Sequence, residues 1–184
     1  MTVRQRRKRE DVVRAAGRLF AEHGYHGTSM RDLGEELGLL GSSLYSHVEG
    51  KDELLVEVIG RGAEMFQGLV DEVLARKDPP TEQLRRLALG HVRIITENLP
   101  EASVFLYEAR FLSPKRRRRV VEMRGSYEAA YRQVLTDGVT AGEFRPDLDV
   151  PLAAIFILSV LNSLARWYRS TGPKTPQQLA EGLF

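Results

Sequence analysis

No cysteine occurs in this chain. Its absence removes disulfides, zinc-thiolate sites and thiol nucleophiles together, and fits a reducing compartment. An excess of one charge is missing as well: 27 Lys and Arg stand against 25 Asp and Glu, for a formal net charge of only +2. The chain is therefore no general polycation, and its basic residues matter by placement. The opening MTVRQRRKRED has no apolar signal region, so a cytoplasmic protein is expected rather than an exported one. Long apolar runs are scarce. The richest, VPLAAIFILSVLNSLARWY, is interrupted by Asn162 and Arg166, and its unbroken part is shorter than the ~18 residues of a membrane span. No membrane partner is expected. Clean period-two alternation is lacking, which argues against strands. No nucleophile has a neighbouring base, no glycine loop could cradle a phosphate, and His23 and His26 lack a third ligand. Neither an enzyme, nor a metal site, nor a cofactor is expected.

What is present is helical periodicity. At 184 residues the chain suits one large domain or a small one fused to a medium one. Val12, Val13, Ala16, Leu19 and Phe20 mark a first helix that Gly24 should stop. Thr28 or Ser29 can cap a second helix, with Asp32 as capping-box partner and Gly38 as its end. Leu44 and Val48, at i and i+4 behind a Ser42 or Ser43 cap, predict a short third one. A long helix follows from Asp52 to about Lys77, stopped by Asp78-Pro79-Pro80. Further helices are expected from a Thr81 cap to about Asn98, across ASVFLYEARFL, from Ser113-Pro114 to near Gly142, from Asp149 and Pro151 to Tyr168, and from Thr175-Pro176 onward. The last shows no stop signal at Phe184, which hints at a shortened chain. The fold class is all-α.

Two short helices joined by a tight glycine turn, behind a longer helix, have the proportions of a helix-turn-helix or of an ordinary three-helix bundle. In the first case Ser42, Ser43, Tyr45, Ser46 and His47 are the exposed positions, because Leu44 and Val48 point inward. The stretch RLFAEHGYHGTSMRDLGEELGLLGSSLYSHVEGKDELL resembles the N-terminal domain of TetR-family transcriptional regulators. That family shows Phe-Ala-x-x-Gly-Tyr, Thr-x-x-Asp-(Ile/Leu)-Ala, Gly-Val-Ser and Leu-Tyr-x-His-Phe followed by Lys. The resemblance implies an N-terminal arm and helix-turn-helix DNA-binding domain over residues 1–51, and a larger helical effector-binding and dimerisation domain over 52–184. By this resemblance Ser29 and Ser43 are phosphate-contacting hydroxyls, Tyr45 and His47 belong to the recognition helix, and Lys51 clamps a phosphate. Arg31 is the best reader of guanine, since its fork suits O6 and N7 together. Gly41 and Ser42 permit close backbone approach, and Ser46 completes the reading face. Leu40, Gly41, Ser46 and Gly34 depart from the family pattern, so shape readout should assist a recognition helix poor in long side chains. The cluster Arg4, Arg6, Arg7, Lys8 and Arg9 reads as a disordered tail in isolation and a phosphate-seeking arm on DNA.

The second half also resembles the family branch that regulates lipid, sterol or aromatic-acid breakdown in response to acyl-coenzyme A (acyl-CoA) thioesters. The apolar helix of about 150 to 170, with 175 to 184, would form an isologous interface in a homodimer. SPKRRRRVVE puts cations into the first turns of a helix, where the macrodipole disfavours them. That run is a solvated face, a DNA contact, or a receiver of coenzyme A phosphates at Arg116, Arg119 or Arg124. An acyl pocket could draw on Leu87, Ile94, Phe105, Tyr107, Phe111, Tyr127, Tyr131, Phe156 and Trp167, which could equally be core. His91 is either a satisfied core histidine or a ligand contact, and Asn162 is a further effector candidate. The resulting expectation is a repressor released from a pseudo-palindromic double-stranded operator by an acyl-CoA. The alternatives are an efflux regulator sensing a hydrophobic cation through Glu97, Glu101 or Glu108, or a helical acyl-CoA-binding module or enzyme without DNA.

Overall fold

A computed structural model describes residues 3–39, 44–45 and 48–182. Every regular element among them is helical. In chain order they are α1 (Val3–Gly27), α2 (Met30–Leu37), α3 (Lys51–Ala75), α4 (Pro80–Glu97), α5 (Leu99–Tyr107), a single 3-10 turn (Glu108–Phe111), α6 (Pro114–Thr140), α7 (Val150–Trp167) and α8 (Pro176–Glu181). The chain divides into two compact units, one of residues 1–63 with 100–120 and one of residues 64–99 with 121–184.

The first unit is built around α1, which packs against α2 and against the 3-10 turn. Val12, Val13, Ala16 and Phe20 bury one stripe of α1, and Leu33, Leu44, Val48, Leu54 and Val58 complete the core. Helix begins at Val3, so the basic cluster from Arg4 to Arg9 falls on the first turns of α1. Gly24 does break the helix, with φ 74° and ψ 164°, but a further turn runs on to Gly27. The broken carbonyls are not abandoned: Thr28 Oγ1 donates to Leu19 O at 3.1 Å and to Gly24 O at 3.0 Å. Ser29 is the cap of α2. Its Oγ accepts from Asp32 N–H at 3.2 Å while Asp32 Oδ2 accepts from Ser29 N–H at 2.7 Å, a complete capping box. Gly38 ends the helix in the left-handed region at φ 62°. Gly34 has a reason that helix propensity hides: a Cβ there would stand 2.9 Å from Leu39 O, where the chain turns back.

In the second unit α4 packs against α7 and α8, over a core that includes Phe66, Leu87, Val92, Ile95, Tyr131, Val134 and Leu161. The expected Thr81 cap is corrected. Pro79 is the N-cap, no side chain caps the helix, and Thr81 N–H donates instead to Glu143 Oε2 at 2.8 Å. Asp149 caps α7 through Leu152 N–H at 3.0 Å. Thr175 and Gln178 exchange bonds at the start of α8. The α7 helix is long and apolar enough, by length and composition, to cross a membrane. Yet Ala154, Leu158, Leu161 and Leu164 are buried along one stripe while Leu152, Ile155, Phe156, Val160 and Trp167 are exposed.

Candidate nucleic-acid interface and effector site

The front unit presents a small set of reactive side chains on an apolar base. Leu44 and Val48 are buried and Tyr45 is 57% exposed. Gly41, Ser42, Ser43, Ser46 and His47, expected with Tyr45 on the reading surface, lie outside the described residues. Arg31 is exposed and its Nε donates to Glu35 Oε1 at 3.0 Å, an i,i+4 pair on the surface. Such a pair contributes well under 1 kcal/mol, so a base edge can replace the carboxylate. Ser29 uses its oxygen as an acceptor in the cap, which leaves the hydroxyl proton to donate outward.

Two expected phosphate contacts carry inward duties. Lys51 Nζ donates to Tyr25 O and to Thr28 O, both at 2.9 Å, and sits 4.2 Å from the centroid of the Tyr25 ring. Two of its three protons therefore hold the α1–α2 connection, and one is left for a phosphate. Arg9 is a correction. Its guanidinium binds Glu53 at 2.5 Å and also Glu57, so it ties α1 to α3 instead of reaching from a free arm. Burial pushes the Glu53 carboxyl up. Hydrogen bonds from Arg9 and from Glu49 N–H, with the charges of Arg9 and Arg116, outweigh that and hold it below the usual range.

Sequence reasoning missed the hub of this unit, Tyr25. Its N–H donates to Glu108 Oε2 at 2.7 Å, its hydroxyl bonds Asp52, and its ring stacks on Phe111 at 5.7 Å. Burial first, then Asp52, push the phenol up to about 12. Glu108 is itself buried, with Arg110 at 3.8 Å. No periodicity could pair Glu108 with Tyr25, because they stand 83 positions apart.

The effector candidates fall in both units. In the first, Phe111 packs edge-on against His26 at 4.4 Å as well as stacking on Tyr25. Tyr107 is half-buried. Arg116 and Arg119 are exposed on the opening turns of α6, where the whole run Lys115 to Arg119 makes no ion pair among the described residues. In the second unit His91 and Tyr127 are brought together, with Nδ1 of the imidazole 3.1 Å from the phenol oxygen. Arg124 and Asn162 are half-buried. Trp167 and Phe156 are corrections to the pocket lining: both lie on the exposed face of α7, and Trp167 Nε1–H donates to Ser163 Oγ at 3.2 Å. Leu87, Ile94, Tyr127 and Tyr131 are buried in the second unit, and Phe105 in the first. No group of three or more metal-ligating side chains occurs among the described residues.

A capped short helix, a left-handed glycine turn and an outward tyrosine over buried leucine and valine define a helix-turn-helix regulator, here followed by a second helical unit. Its family is fixed by comparison. Residues 12–58 match the family described as bacterial regulatory proteins, tetR family, and residues 77–184 match the tetracyclin repressor-like C-terminal domain. The chain belongs to the TetR family of bacterial transcriptional regulators, whose work is binding rather than catalysis. Among its relatives, the transcriptional repressor KstR2 of Mycobacterium tuberculosis is 30% identical over 175 residues, covering 95% of this chain and 88% of that protein. The solved structure of that ketosteroid transcriptional regulator superposes with a TM-score of 0.91 at 29% identity, covering 96% of this chain and 90% of the other. The regulator PfmR of Thermus thermophilus is 35% identical, with a TM-score of 0.85 and coverage of 94% and 93%. AibR, solved with isovaleryl coenzyme A and operator DNA, shares the fold at 23% identity and a TM-score of 0.86, each chain covered to 95%.

Proposed function

We propose that this chain is a homodimeric, cytoplasmic repressor whose residues 1–51 bind a pseudo-palindromic operator and whose residues 52–184 bind an acyl-CoA thioester that releases it. The observation that carries the DNA half is the outward placement of Arg31 and Tyr45 above buried Leu33, Leu44 and Val48. Ser29, Ser43 and Lys51 would position the phosphates, while Arg31, Tyr45, His47 and the backbone at Gly41, Ser42 and Ser46 would approach the bases. The thioester reading is supported by a buried aromatic cluster in the second unit; the first unit separately offers five consecutive exposed cations at Lys115 to Arg119 without an ion pair among the described residues. Guanidinium forks suit phosphates and an apolar interior suits an acyl chain. Arg116 and Arg119, one turn apart in the first unit, would face one ligand together. That the relative KstR2 is a ketosteroid regulator points to effectors of the same apolar, catabolic kind. A hydrophobic cation would want free acids, whereas Glu108 is taken up by Tyr25 N–H.

Release follows from connectivity. Helix α3 runs without interruption from Lys51 to Ala75, so effector binding that tilts it changes the separation of the two reading helices. Half-sites about 34 Å apart tolerate little change in that separation. The test is binding of the purified protein to its own upstream intergenic DNA at fixed salt, with and without acyl-CoA thioesters of graded chain length. Release by one chain-length class is the expected result, and tight binding untouched by every thioester would remove the effector reading. Arg116→Ala with Arg119→Ala should weaken thioester binding about tenfold or more at every chain length, leaving operator affinity in the absence of effector unchanged.

A further inference from the structure

Among the buried polar atoms of the second unit, a ring nitrogen of His91 stands without a hydrogen-bond partner among the described residues. His91 is fully buried on α4, with Phe66 at 4.9 Å and Tyr127 at 5.8 Å between ring centroids. Its Nδ1 lies 3.1 Å from Tyr127 Oη, and Tyr127 Oη lies 3.4 Å from Tyr131 Oη. Its Nε2 has no partner among the described residues.

Counting protons fixes what that nitrogen is. If His91 Nδ1–H donated to Tyr127 and Tyr127 to Tyr131, the Tyr131 proton would be left over beside a bare Nε2 lone pair. If both His91 and Tyr131 donated to Tyr127, the Tyr127 proton would be left over beside that same lone pair. If Tyr131 donates to Tyr127 and Tyr127 to His91 Nδ1, every hydroxyl proton is used and one group remains open, the Nε2–H. Buried donors left unpaired are costly, so the arrangement with one open group is preferred to those with two. The arrangement preferred on this count runs from Tyr131 through Tyr127 to His91 Nδ1 and leaves Nε2 as an N–H.

Such a donor selects its partner. A cation would meet a proton, not a lone pair. A carboxylate would have to shed its hydration without a counter-charge, because burial holds the imidazole neutral, its pKa pushed down to about 3. A water needs two to four polar partners, and no second unpartnered side-chain atom is recorded on His91, Tyr127 or Tyr131 beside Nε2. A carbonyl oxygen on an apolar body needs just one.

We propose that His91 Nε2–H is the specificity donor of the effector site and hydrogen-bonds the thioester carbonyl oxygen of the bound acyl group, with Tyr127 and Tyr131 as positioning residues that fix its tautomer. This rests on the thioester reading above and adds to it the atom that is read. The site would thereby reject an equally long chain that lacks the oxygen, because its donor would again be left bare.

The experiment compares each acyl-CoA with the S-alkyl-CoA thioether of the same chain length, in which the carbonyl is replaced by methylene. Binding to the full-length protein is measured by titration calorimetry. The wild type should prefer the thioester about tenfold or more. His91→Phe should erase the preference, and His91→Gln, which keeps an N–H at similar reach, should restore part of it. Isotope-edited infrared spectra should show the thioester C=O stretch lowered in the wild-type complex and not with His91→Phe. Should that variant fail to fold, ¹H–¹⁵N spectra of the wild type carry the test through the Nε2–H tautomer and its shift on adding thioester. Equal binding of thioester and thioether would overturn this inference while leaving the thioester reading intact. Binding of neither by the wild type would overturn both.

Discussion

At the scale of single residues, the question is which side chains are committed to holding the molecule and which remain free to act. Ser29 can do both with one hydroxyl, because its oxygen caps α2 as an acceptor and the cap does not use its proton. Glycine is nearly as good a cap, at a cost of a few tenths of a kcal/mol, whereas alanine costs about 1 kcal/mol. Ser29→Gly should therefore leave the melting temperature almost unchanged while weakening operator binding about tenfold through the lost phosphate donor. Fluorescence anisotropy on an operator duplex checks this, and unchanged affinity would reduce Ser29 to a cap. His91 shows commitment of another kind, because burial keeps it neutral and pushes its pKa down to about 3. Between that value and an ordinary unfolded value near 6.5 the unfolded chain binds the extra proton. Stability should therefore fall as pH falls through that window, by up to about 1.4 kcal/mol per pH unit. His91→Phe should flatten this acid limb in denaturant titrations run between pH 6 and 4. An equally steep limb in the variant would place the acid sensitivity elsewhere.

At the scale of elements, the sequence was most legible where a local rule acts alone. The Ser29 and Asp32 capping box, the Gly38 stop, the Ser113-Pro114 opening and the Asp149 cap all stand where spacing places them. The burial of Leu44 and Val48 beside an exposed Tyr45 was legible by the same i,i+4 logic. Legibility failed where a distant partner decides. Thr81 does not cap α4, because Pro79 and Pro80 open the helix and Glu143, 62 positions away, accepts from the Thr81 N–H. Arg9 leaves the basic arm because Glu53 and Glu57 lie across from it on α3. Gly24 shows both cases at once. It was readable as a stop, but not as a hinge from which one more turn continues before α2. At φ 74° and ψ 164° it occupies a region that is essentially glycine's alone, where a side chain costs of order 1–3 kcal/mol. Gly24→Ala should destabilise the protein by about that amount. It should weaken operator binding beyond what the stability loss explains, since Tyr25, whose N–H holds Glu108, is the next residue. Thermal unfolding alongside operator titration checks this, and a melting temperature equal to wild type would refute the strained hinge.

At the scale of the whole molecule, the proposed homodimer gives one exposed apolar face a partner. The α7 helix satisfies its inner stripe of Ala154, Leu158, Leu161 and Leu164 within its own unit, but Ile155, Phe156 and Val160 stand open on the other side, Phe156 at 61% exposure. A membrane would want apolar surface all round, whereas a second copy needs just one face. A two-fold contact also sets each residue near its own symmetry mate, so a charge introduced there is opposed by its twin. Phe156→Glu with Val160→Glu should therefore yield a folded monomer, since both side chains are exposed in the single chain and far-ultraviolet circular dichroism should not change. Operator affinity should fall about a hundredfold or more, because two half-sites are no longer held by one particle. A single half-site duplex should lose far less, and that contrast separates lost dimerisation from damage to the reading helix. Sedimentation velocity with operator titration decides it: a double variant that stays dimeric and binds the full operator unchanged would move the dimer contact away from α7.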